Sequence, residues 1–368
     1  MIDFICLILI SNRLKGIILH GGHGTRLRPL THTGPKQLLP IANKPMSQYG
    51  LEDLKAVGIT EIAIIIGDIY PEKVKEYYGD GKNFGVNITY VYQDAPKGIA
   101  HAIRLCENFI GNEKFIVYLG DNVLRKNLTD YTKKFSVSDS SAMILLCEVD
   151  DPQRFGIAEL DIINKKIKKI TEKPKEPKSN LAVIGIYFFT PKIFEIIDNL
   201  KPSWRGELEI TEALQMLMER DNKIEYDFVT GWWKDTGTPD DIIHANKLVL
   251  DSIGTLNQFL IEPGAEIKNK VIIGKNSIIS SDSKIIEPVI IGKNCKIGPN
   301  VTLGPYVSIG DDCVFQKCTC DNSIIMNNCK IDSQIDFSSS IIAEGSIIDD
   351  KNTSKNQFLL GERSNIKL

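Results

Sequence analysis

The stretch GIILHGGHGTRLRPLTHTGPKQLLP, residues 16–40, carries the strongest local signal in the 368-residue chain. An apolar run leads into three glycines within four positions, and Arg26, Arg28 and Lys36 follow. Backbone amides in a glycine-rich turn form a nest for phosphate oxygens, and cationic side chains add charge that amides cannot match. The stretch therefore predicts a loop after a strand that holds a small, strongly negative ligand, although the glycines alone are equally typical of a tight turn.

Two widespread phosphate-binding loops do not fit this stretch. A P-loop would continue with Gly-Lys-Ser or Gly-Lys-Thr, and neither follows the glycines. A dinucleotide-binding loop would have a third glycine after Gly24, where the chain has Thr25, Arg26 and Leu27.

Composition excludes several kinds of partner. The net charge is −3, so no bulk electrostatic attraction to nucleic acid exists. The apolar run at residues 4–10 is too short to span a bilayer, and we expect no membrane partner. Eight cysteines form no zinc signature and are interpreted as reduced thiols of a cytoplasmic protein. Residues 1–14 are interpreted as an N-terminal extension, either from a misassigned start codon or as a genuine arm.

Residues 15–255 alternate short β-type runs with helical stretches. This alternation predicts an α/β domain with a mainly parallel sheet, whose ligands bind at the carboxyl ends of the strands. The predicted strands are residues 17–20, 62–66, 88–92, 115–119 and 143–148, and the predicted helices are residues 45–57, 71–78, 98–109 and 128–135.

A six-residue period replaces this alternation in residues 256–350. The period predicts a solenoid in which each hexapeptide supplies one face of a triangular coil, with 18 residues to a turn. Cys295 and Cys313 should then stack inside this solenoid, and we expect two thiols in contact rather than a disulfide. Its aliphatic positions are Ile273, Ile279, Ile285, Ile291, Ile297, Leu303, Ile309 and Phe315, and the smaller positions four residues later are Ser277, Ser283, Val289, Cys295, Val301, Val307 and Cys313.

A second tract continues the period out of phase with the first. It predicts interior side chains at Ile325, Ile331, Phe337 and Ala343, and at Cys329, Ile335, Ile341 and Ile347. The phase change indicates an insertion near residues 316–324. The repeats resemble the left-handed parallel β-helix of hexapeptide-repeat proteins; the resemblance, not the spacing, supplies the handedness. Residues 351–368 are left as a C-terminal tail.

The glycine-rich stretch resembles the signature of sugar-phosphate nucleotidylyltransferases, G-G-x-G-T-R-L-x-P-L-T followed by P-K-x-x-x-P. The resemblance covers about 240 residues and includes QDAPKGIAHA at 93–102, YLGDN at 118–122, EKP at 172–174, RGELEIT at 205–211 and WKDTGT at 233–238. It implies a Rossmann-like nucleotidyltransferase domain followed by the β-helix. Within the family, Gln37 favours members that use dTTP and glucose 1-phosphate.

The implied reaction joins a nucleoside triphosphate to a sugar 1-phosphate and releases pyrophosphate. Two anions must meet, so the site needs charge neutralisation, which Mg²⁺ and cationic side chains supply. Asp121 and Asp235 match the metal-binding aspartates of the family, although each alone is equally well read as a turn residue. Arg26, Lys36 and Lys173 complete the implied catalytic set.

The resemblance also implies a set of substrate contacts. Gln37 and Gln93 would bond the thymine edge, Glu172 the sugar hydroxyls, and Arg205 a phosphate unless it pairs with Glu207 or Glu209. Gly98 and Gly156 would let the base and the sugar approach the backbone. The remaining loop contacts are Gly21, Gly22, Gly24 and Thr25.

Other functions stay open at this level. A thymine methyl group contributes only about 1–3 kcal/mol to base choice, so a UTP- or ATP-dependent enzyme is an alternative. A non-catalytic regulator that binds sugar nucleotides is another, although it could lose the cationic residues and aspartates that this chain keeps. All five histidines precede the repeats, which makes the repeat domain a poor acyltransferase. It is better interpreted as an oligomerisation module, with a trimer favoured.

Overall fold

The apolar run before the glycines forms strand β1, Leu14–His20, in the middle of a mixed sheet. It belongs to a computed structural model that describes residues 14–349 except residues 126, 221, 255–259 and 268–269. The predicted extension, residues 1–14, therefore overlaps β1 at Leu14, and its other residues lie outside the described part. The predicted tail, residues 351–368, lies outside it as well.

Apart from a short hairpin at residues 40–45, the structure describes ten further strands in addition to β1 in the α/β part of the chain. They are β2 Glu61–Ile66, β3 Asn87–Tyr92, β4 Lys114–Leu119, β5 Asn122–Leu124, β6 Ala142–Glu148, β7 Gly156–Asp161, β8 Lys166–Glu172, β9 Leu181–Phe189, β10 Ile224–Phe228 and β11 Trp233–Asp235. The main path through the sheet is β8-β7-β9-β4-β1-β2-β3, with β6 beside β9 and β10 beside β6. The pairs β1–β2, β1–β4, β2–β3 and β6–β10 are parallel, and β9 is antiparallel to β4, β6 and β7.

Helices connect these strands as the alternation predicts. They are α1 Met46–Ala56, α2 Pro71–Tyr78, α3 Ile99–Arg104, α4 Glu107–Ile110, α5 Thr129–Val137, α6 Lys192–Ile197, α7 Ile210–Glu219 and α8 Pro239–Leu250. The prediction of one helix over residues 98–109 is wrong, because the stretch forms α3 and α4. Among the described residues, no helix is both long and apolar enough to cross a membrane.

The sheet is covered on both faces because β1 is apolar on both. Ile17 and Leu19 pack into one buried cluster, and Ile18 packs into the other. A strand whose two faces are both buried has an almost continuous apolar sequence, which is what the run before Gly21 shows.

Contacts divide the described chain into two units. The first unit comprises the described part of residues 1–23 together with residues 33–38 and 47–235. The second unit comprises residues 24–32, residues 39–46 and the described part of residues 236–368. The predicted boundary at residue 255 falls on residues outside the described part. Helix α8 belongs to the second unit. It begins where Thr238 caps it, accepting a hydrogen bond from the Asp241 N–H, with Pro239 in the first turn.

The second unit contains a coil of short parallel strands, residues 260–349, that we call the C-terminal coil. Ile273 pairs with Ile291, which pairs with Ile309, so each strand lies beside the strand 18 residues later. The strands are Leu260–Ile261, Glu266–Ile267, Val271–Ile273, Ile278–Ile279, Lys284–Ile285, Val289–Ile291, Lys296–Ile297, Thr302–Leu303, Val307–Ile309, Val314–Asp321, Ile324–Ile325, Lys330–Ser338, Ile341–Ile342 and Ile347–Asp349.

The first tract of repeats behaves as predicted. Every aliphatic position from Ile273 to Phe315, and every smaller position from Ser277 to Cys313, is buried. Cys295 and Cys313 lie in successive turns of the coil, and both thiols are free.

The phase predicted for the second tract is partly wrong. Ile309 pairs with Ile325 only 16 residues later, so the coil shortens at its corners where an insertion was predicted. The shortening changes which residues point inward: Ile342 and Ile348 pack against the core, whereas Ala343 is exposed and Ile347 is 67% exposed. Ile325 and Ile331 are buried as predicted.

His20, the last residue of β1, is a buried histidine that lacks hydrogen-bond partners. Its side chain is 4% exposed, its ring packs edge-on against Tyr78, and neither ring nitrogen has a partner among the described residues. Burial lowers the pKa of His20 to about 3, against a smaller opposing effect of the Asp121 charge. The unfolded chain therefore binds one proton more than the folded chain between pH 6.5 and 3.

We expect the His20→Leu variant to lose part of the acid sensitivity of the fold. Because protonation of His20 favours the unfolded chain, the wild type should lose about 2 kcal/mol between pH 7 and pH 5 from this residue alone. Leucine leaves no unpaired nitrogen, so the variant should be no less stable than the wild type at pH 7. Urea midpoints at both pH values measure this. His23→Gln, at an exposed histidine, is the control, and an unchanged pH dependence in His20→Leu would contradict the assignment.

Candidate active site

The glycine-rich loop and Asp121 lie side by side because the parallel strands that precede them are neighbours. Leu19 of β1 pairs with Leu119 of β4, and the N–H of Gly120 donates to the carbonyl of Leu19 over 3.0 Å. A Cβ at residue 120 would lie 2.7 Å from that carbonyl oxygen, so only glycine allows this approach. The carboxyl ends of two central strands thus bring Gly21 and Asp121 together, as expected for a sheet of this class.

Asp235 joins Asp121 through a two-stranded ladder. Strand β11 runs antiparallel to β5 and pairs Asp235 with Asn122, the residue after Asp121. Paired residues on adjacent strands have Cα atoms about 4.5–5.5 Å apart, so the two aspartates are near neighbours. Both line a cavity of about 180 Å³ in the first unit.

Asn122 fixes the geometry around this pair. Its Oδ1 accepts hydrogen bonds from the indole Nε1 of Trp233 at 2.7 Å and from the Gly185 N–H at 3.1 Å. Its Nδ2 donates to Asp121 over 3.0 Å. A single buried amide therefore ties strand β9, strand β11 and the carboxylate of Asp121 to one another.

Lys36 compensates the charge of Asp121. Its ammonium group donates to the carboxylate of Asp121 in a partly buried ion pair. Burial alone would raise the pKa of Asp121, but the Lys36 charge and hydrogen bonds from Lys36 and Asn122 outweigh it and hold that pKa below its ordinary value. Asp121 is thus an ionised carboxylate at neutral pH, a state in which it can bind a cation.

A cluster of charged side chains forms one wall of the cavity. Arg205 pairs with Glu172 at 3.4 Å, with Glu207 at 3.0 Å and with Glu209 at 3.2 Å. Lys173 lies 3.6 Å from Glu172. Arg205 therefore lines the cavity and also makes the ion pairs with Glu207 and Glu209 that the sequence left as an alternative.

Glu209 is the most buried acid of this wall. Its side chain is 5% exposed and accepts a hydrogen bond from Ser203, yet burial and the neighbouring Glu172 raise its pKa above the ordinary value. The Arg205 guanidinium opposes that rise. Arg205 is consequently the hub of three carboxylates, and with Lys173 the wall sets two cations against three acidic side chains.

The two glutamines lie near the start of the glycine-rich loop. The Nε2 of Gln37 donates to the Gly21 carbonyl over 2.7 Å, and a Cβ at Gly21 would lie 3.6 Å from the Oε1 of Gln93. Gln93 bonds His101 over 3.0 Å. The Oε1 of Gln37 is buried and has no hydrogen-bond partner among the residues that the structure describes. Gln37 does not line the cavity of Asp121 and Asp235, but a buried acceptor without a partner is suited to a donor on a ligand.

Gly156 and Gly98 have reasons within the fold for lacking a side chain. A Cβ at Gly156 would lie 2.4 Å from the Cγ2 of Thr211, and one at Gly98 would lie 2.4 Å from the Leu208 carbonyl oxygen. The resemblance to the family predicts only that both glycines let a ligand approach the backbone. The structure adds close contact with helix α7 and with the segment before it.

The remaining predicted loop residues, Gly22, Gly24, Thr25 and Arg26, do not line this cavity. Gly22 has φ +91° and open space around a Cβ, which suits a tight turn. Gly24, Thr25 and Arg26 belong to the second unit, where Gly24 accepts hydrogen bonds from the Leu27 N–H and the Thr31 hydroxyl. Arg26 is exposed.

Several cavity residues were not predicted. Asn122 and Glu209 lie within the family motifs YLGDN and RGELEIT, so the sequence indicated that they are near the site. Arg154 directly precedes Phe155 and the predicted Gly156, whereas Tyr187 carried no such signal, because no strand was predicted between residues 149 and 189. Tyr187 reaches the cavity only through the antiparallel pairing of β9 with β4.

Comparison with known proteins identifies the family to which the chain belongs. The profile of the family described as Nucleotidyl transferase matches residues 15–252, and the profile described as GMPPB C-terminal domain matches residues 285–368. The chain therefore belongs to the nucleotidyl transferase family, and it is an enzyme of that class.

Individual relatives match over most of the chain. The chain is 40% identical to the low-salt glycan biosynthesis nucleotidyltransferase Agl11 of Haloferax volcanii over 96% of this chain and all of that protein. It is 37% identical to a glucose-1-phosphate thymidylyltransferase of Streptomyces antibioticus over 96% of this chain and 99% of the relative. A Bacillus anthracis crystal structure, provisionally described as a glucose-1-phosphate thymidylyltransferase and containing sucrose, superimposes with a TM-score of 0.62 at 44% identity, covering 66% of this chain and 98% of that one.

The steric role of Gly156 gives a test. Gly156→Ala should lower stability by about 1–3 kcal/mol, because its methyl group must displace the Cγ2 of Thr211. Adding Thr211→Ser removes that carbon and keeps the hydroxyl that bonds Glu172, so the double variant should regain most of the loss in a thermal melt. An additive double variant would mean that Thr211 is not the obstacle.

Proposed function

We propose that the enzyme converts dTTP and glucose 1-phosphate into dTDP-glucose and pyrophosphate. The observation that carries this proposal is that Asp121 and Asp235 line one cavity, that Lys36 pairs with Asp121, and that Glu172, Lys173 and Arg205 also line the cavity. The thymidylyltransferase relatives, which match this chain along almost their whole length, support the choice of substrates.

The transfer needs neutralisation of charge and alignment of the two substrates. A phosphate oxygen of glucose 1-phosphate attacks the α-phosphorus of dTTP, and the bond from that phosphorus to the β-phosphate oxygen breaks. Pyrophosphate leaves with the electron pair, and no proton transfer is required. Lys173 holds the sugar phosphate, Glu172 the sugar hydroxyls, and Arg26 and Lys36 the pyrophosphate end of dTTP. Lys36 then exchanges the carboxylate of Asp121 for a phosphate.

Gln37 and Gln93 recognise the thymine base. A carboxamide both donates and accepts, which matches the imide edge of thymine. The unpaired Oε1 of Gln37 supports this role, since its Nε2 is already used by Gly21. Gly21, Gly22, Gly24 and Thr25 supply the loop around the phosphates, and Gly98 and Gly156 keep the backbone accessible.

Asp121 and Asp235 are the residues that would hold Mg²⁺. Mg²⁺ prefers carboxylate oxygen, keeps several waters and needs only one or two protein ligands. This fits the two aspartates, and among the described residues no group of three or more histidine, cysteine or acidic side chains is arranged to hold a metal. When bound, the ion would neutralise charge on the phosphate oxygens.

The C-terminal coil is proposed to be a left-handed β-helix that assembles the enzyme into a homo-oligomer, with a trimer favoured. The left-handed backbone of Asn276, Asn294, Asp312 and Asn328 at successive corners supports such a coil. The described cysteines are all free thiols, which supports a reducing, cytoplasmic location.

Pyrophosphate release with each nucleotide tests the proposal. With glucose 1-phosphate, dTTP should be the preferred substrate over UTP and ATP, and chelation of Mg²⁺ should abolish activity. Asp121→Asn and Asp235→Asn should each lower kcat/KM about 100-fold or more, because each removes charge from the site of transfer.

The control is Asp139→Asn, at a carboxylate that is 83% exposed and pairs with Lys223. It should retain wild-type kcat/KM. Preference for UTP or ATP over dTTP would contradict the proposed substrate, and wild-type activity in both active-site variants would contradict the proposed site.

A further inference from the structure

One face of the C-terminal coil is buried where a coil face would normally meet water. Side chains alternate inward and outward along its short strands, and the outward column on this face runs through Ile290, Ser308 and Ile324. Their exposures are 9%, 0% and 1%. A fully buried outward serine indicates that other parts of the second unit cover this face.

Asn246 of helix α8 connects that face to a hairpin. Its Oδ1 accepts a hydrogen bond from the Ser308 hydroxyl at 2.6 Å and another from the Ala42 N–H at 2.8 Å. The residue is 1% exposed. Asn43 adds a parallel connection, donating from Nδ2 to the Ile309 carbonyl over 2.5 Å. Ala42 and Asn43 are therefore fixed to the coil at both turn residues of their hairpin.

The hairpin is too small to hold its own position. Its strands are only Pro40–Ile41 and Lys44–Pro45, and its turn residues Ala42 and Asn43 have φ +48° and +62°. Two-stranded hairpins are marginal in isolation even when longer. Its conformation consequently depends on contacts outside the hairpin, which include the bonds of Ala42 and Asn43 and the complete burial of Ile41 and Met46.

The ends of the hairpin lead directly to proposed substrate contacts. Met46 N–H bonds the Leu39 carbonyl at 3.1 Å, which closes the hairpin. One residue further along each arm, in the first unit, the chain reaches Leu38 and Ser47, and Ser47 donates to the Gln37 carbonyl at 3.0 Å. Lys36 and Gln37 therefore lie within a few residues of the start of the hairpin, without any intervening linker.

We propose that Asn246 is a positioning residue for nucleotide binding. It acts by anchoring the hairpin that directly follows Lys36 and Gln37 in the chain. This inference rests on the proposed function insofar as Lys36 and Gln37 are taken to hold the nucleotide. It gives the C-terminal coil a role in nucleotide affinity within each chain, separate from any role in assembly. Loss of the acceptor leaves the Ala42 N–H unpaired and removes one of the two hydrogen-bonded anchors of the turn, while the bond from Asn43 to Ile309 remains.

Steady-state kinetics of the full chain distinguishes this role from a purely structural one. Asn246→Leu should raise the KM for dTTP at least tenfold and leave the KM for glucose 1-phosphate within about twofold. Asn246→Asp keeps an acceptor oxygen at the same place and should restore the KM for dTTP. Ser277→Ala is the matched control, since it removes a buried hydroxyl that donates to Gly292 within the coil; it should lower the melting temperature without changing either KM.

Hydrogen exchange supplies a readout that does not require activity. In Asn246→Leu, the amides of residues 36–47 should exchange at least tenfold faster than in the wild type, in Asn246→Asp, or in Ser277→Ala. Faster exchange in Asn246→Leu than in the wild type, together with a wild type that makes no dTDP-glucose, would uphold the anchor and reject the proposed substrate. Unchanged exchange and an unchanged KM for dTTP in Asn246→Leu would overturn the inference, as would an equal rise of both KM values.

Discussion

The ion pair between Lys36 and Asp121 is the interaction on which the site depends. Asp121 ends a buried strand, and burial by itself favours its neutral form. Lys36 and Asn122 reverse that preference, so the carboxylate stays charged in a place where an isolated charge would be costly. The carboxylate of Asp121 is thus a permanent negative group at the carboxyl edge of the sheet, and Lys36 compensates its charge.

Glycine shapes the cavity by allowing protein segments to meet as well as by admitting ligand. Gly120 lets β4 bond the end of β1, Gly156 accommodates Thr211, and Gly98 accommodates Leu208. Each contact brings a strand end or helix start closer to the cavity than any other residue would permit. The space for substrate is consequently what remains after these close approaches, and its walls resist deformation because they are packed backbone.

The second unit shows how a short loop can depend on distant sequence. Residues 39–46 follow the glycine-rich stretch directly, yet their turn bonds to Asn246 and Ile309. A pattern of hexapeptides indicates that the coil exists, because its interior must be filled at regular intervals. It does not indicate which outward face is covered, since Ser308 is as polar as a residue exposed to water.

Local patterns in the chain predict the strongly periodic elements and several of the residues that line the cavity. Strands β1 to β4 and the interior of the coil up to Phe315 follow from apolar patterns, which depend on local burial alone. Tertiary packing was needed to show that Arg205 bonds three carboxylates, that Tyr187 reaches the cavity, and that Ile342 and Ile348 fill the last turns of the coil. These features depend on strand order and on the loss of corner residues between turns, and neither leaves a local pattern in the chain.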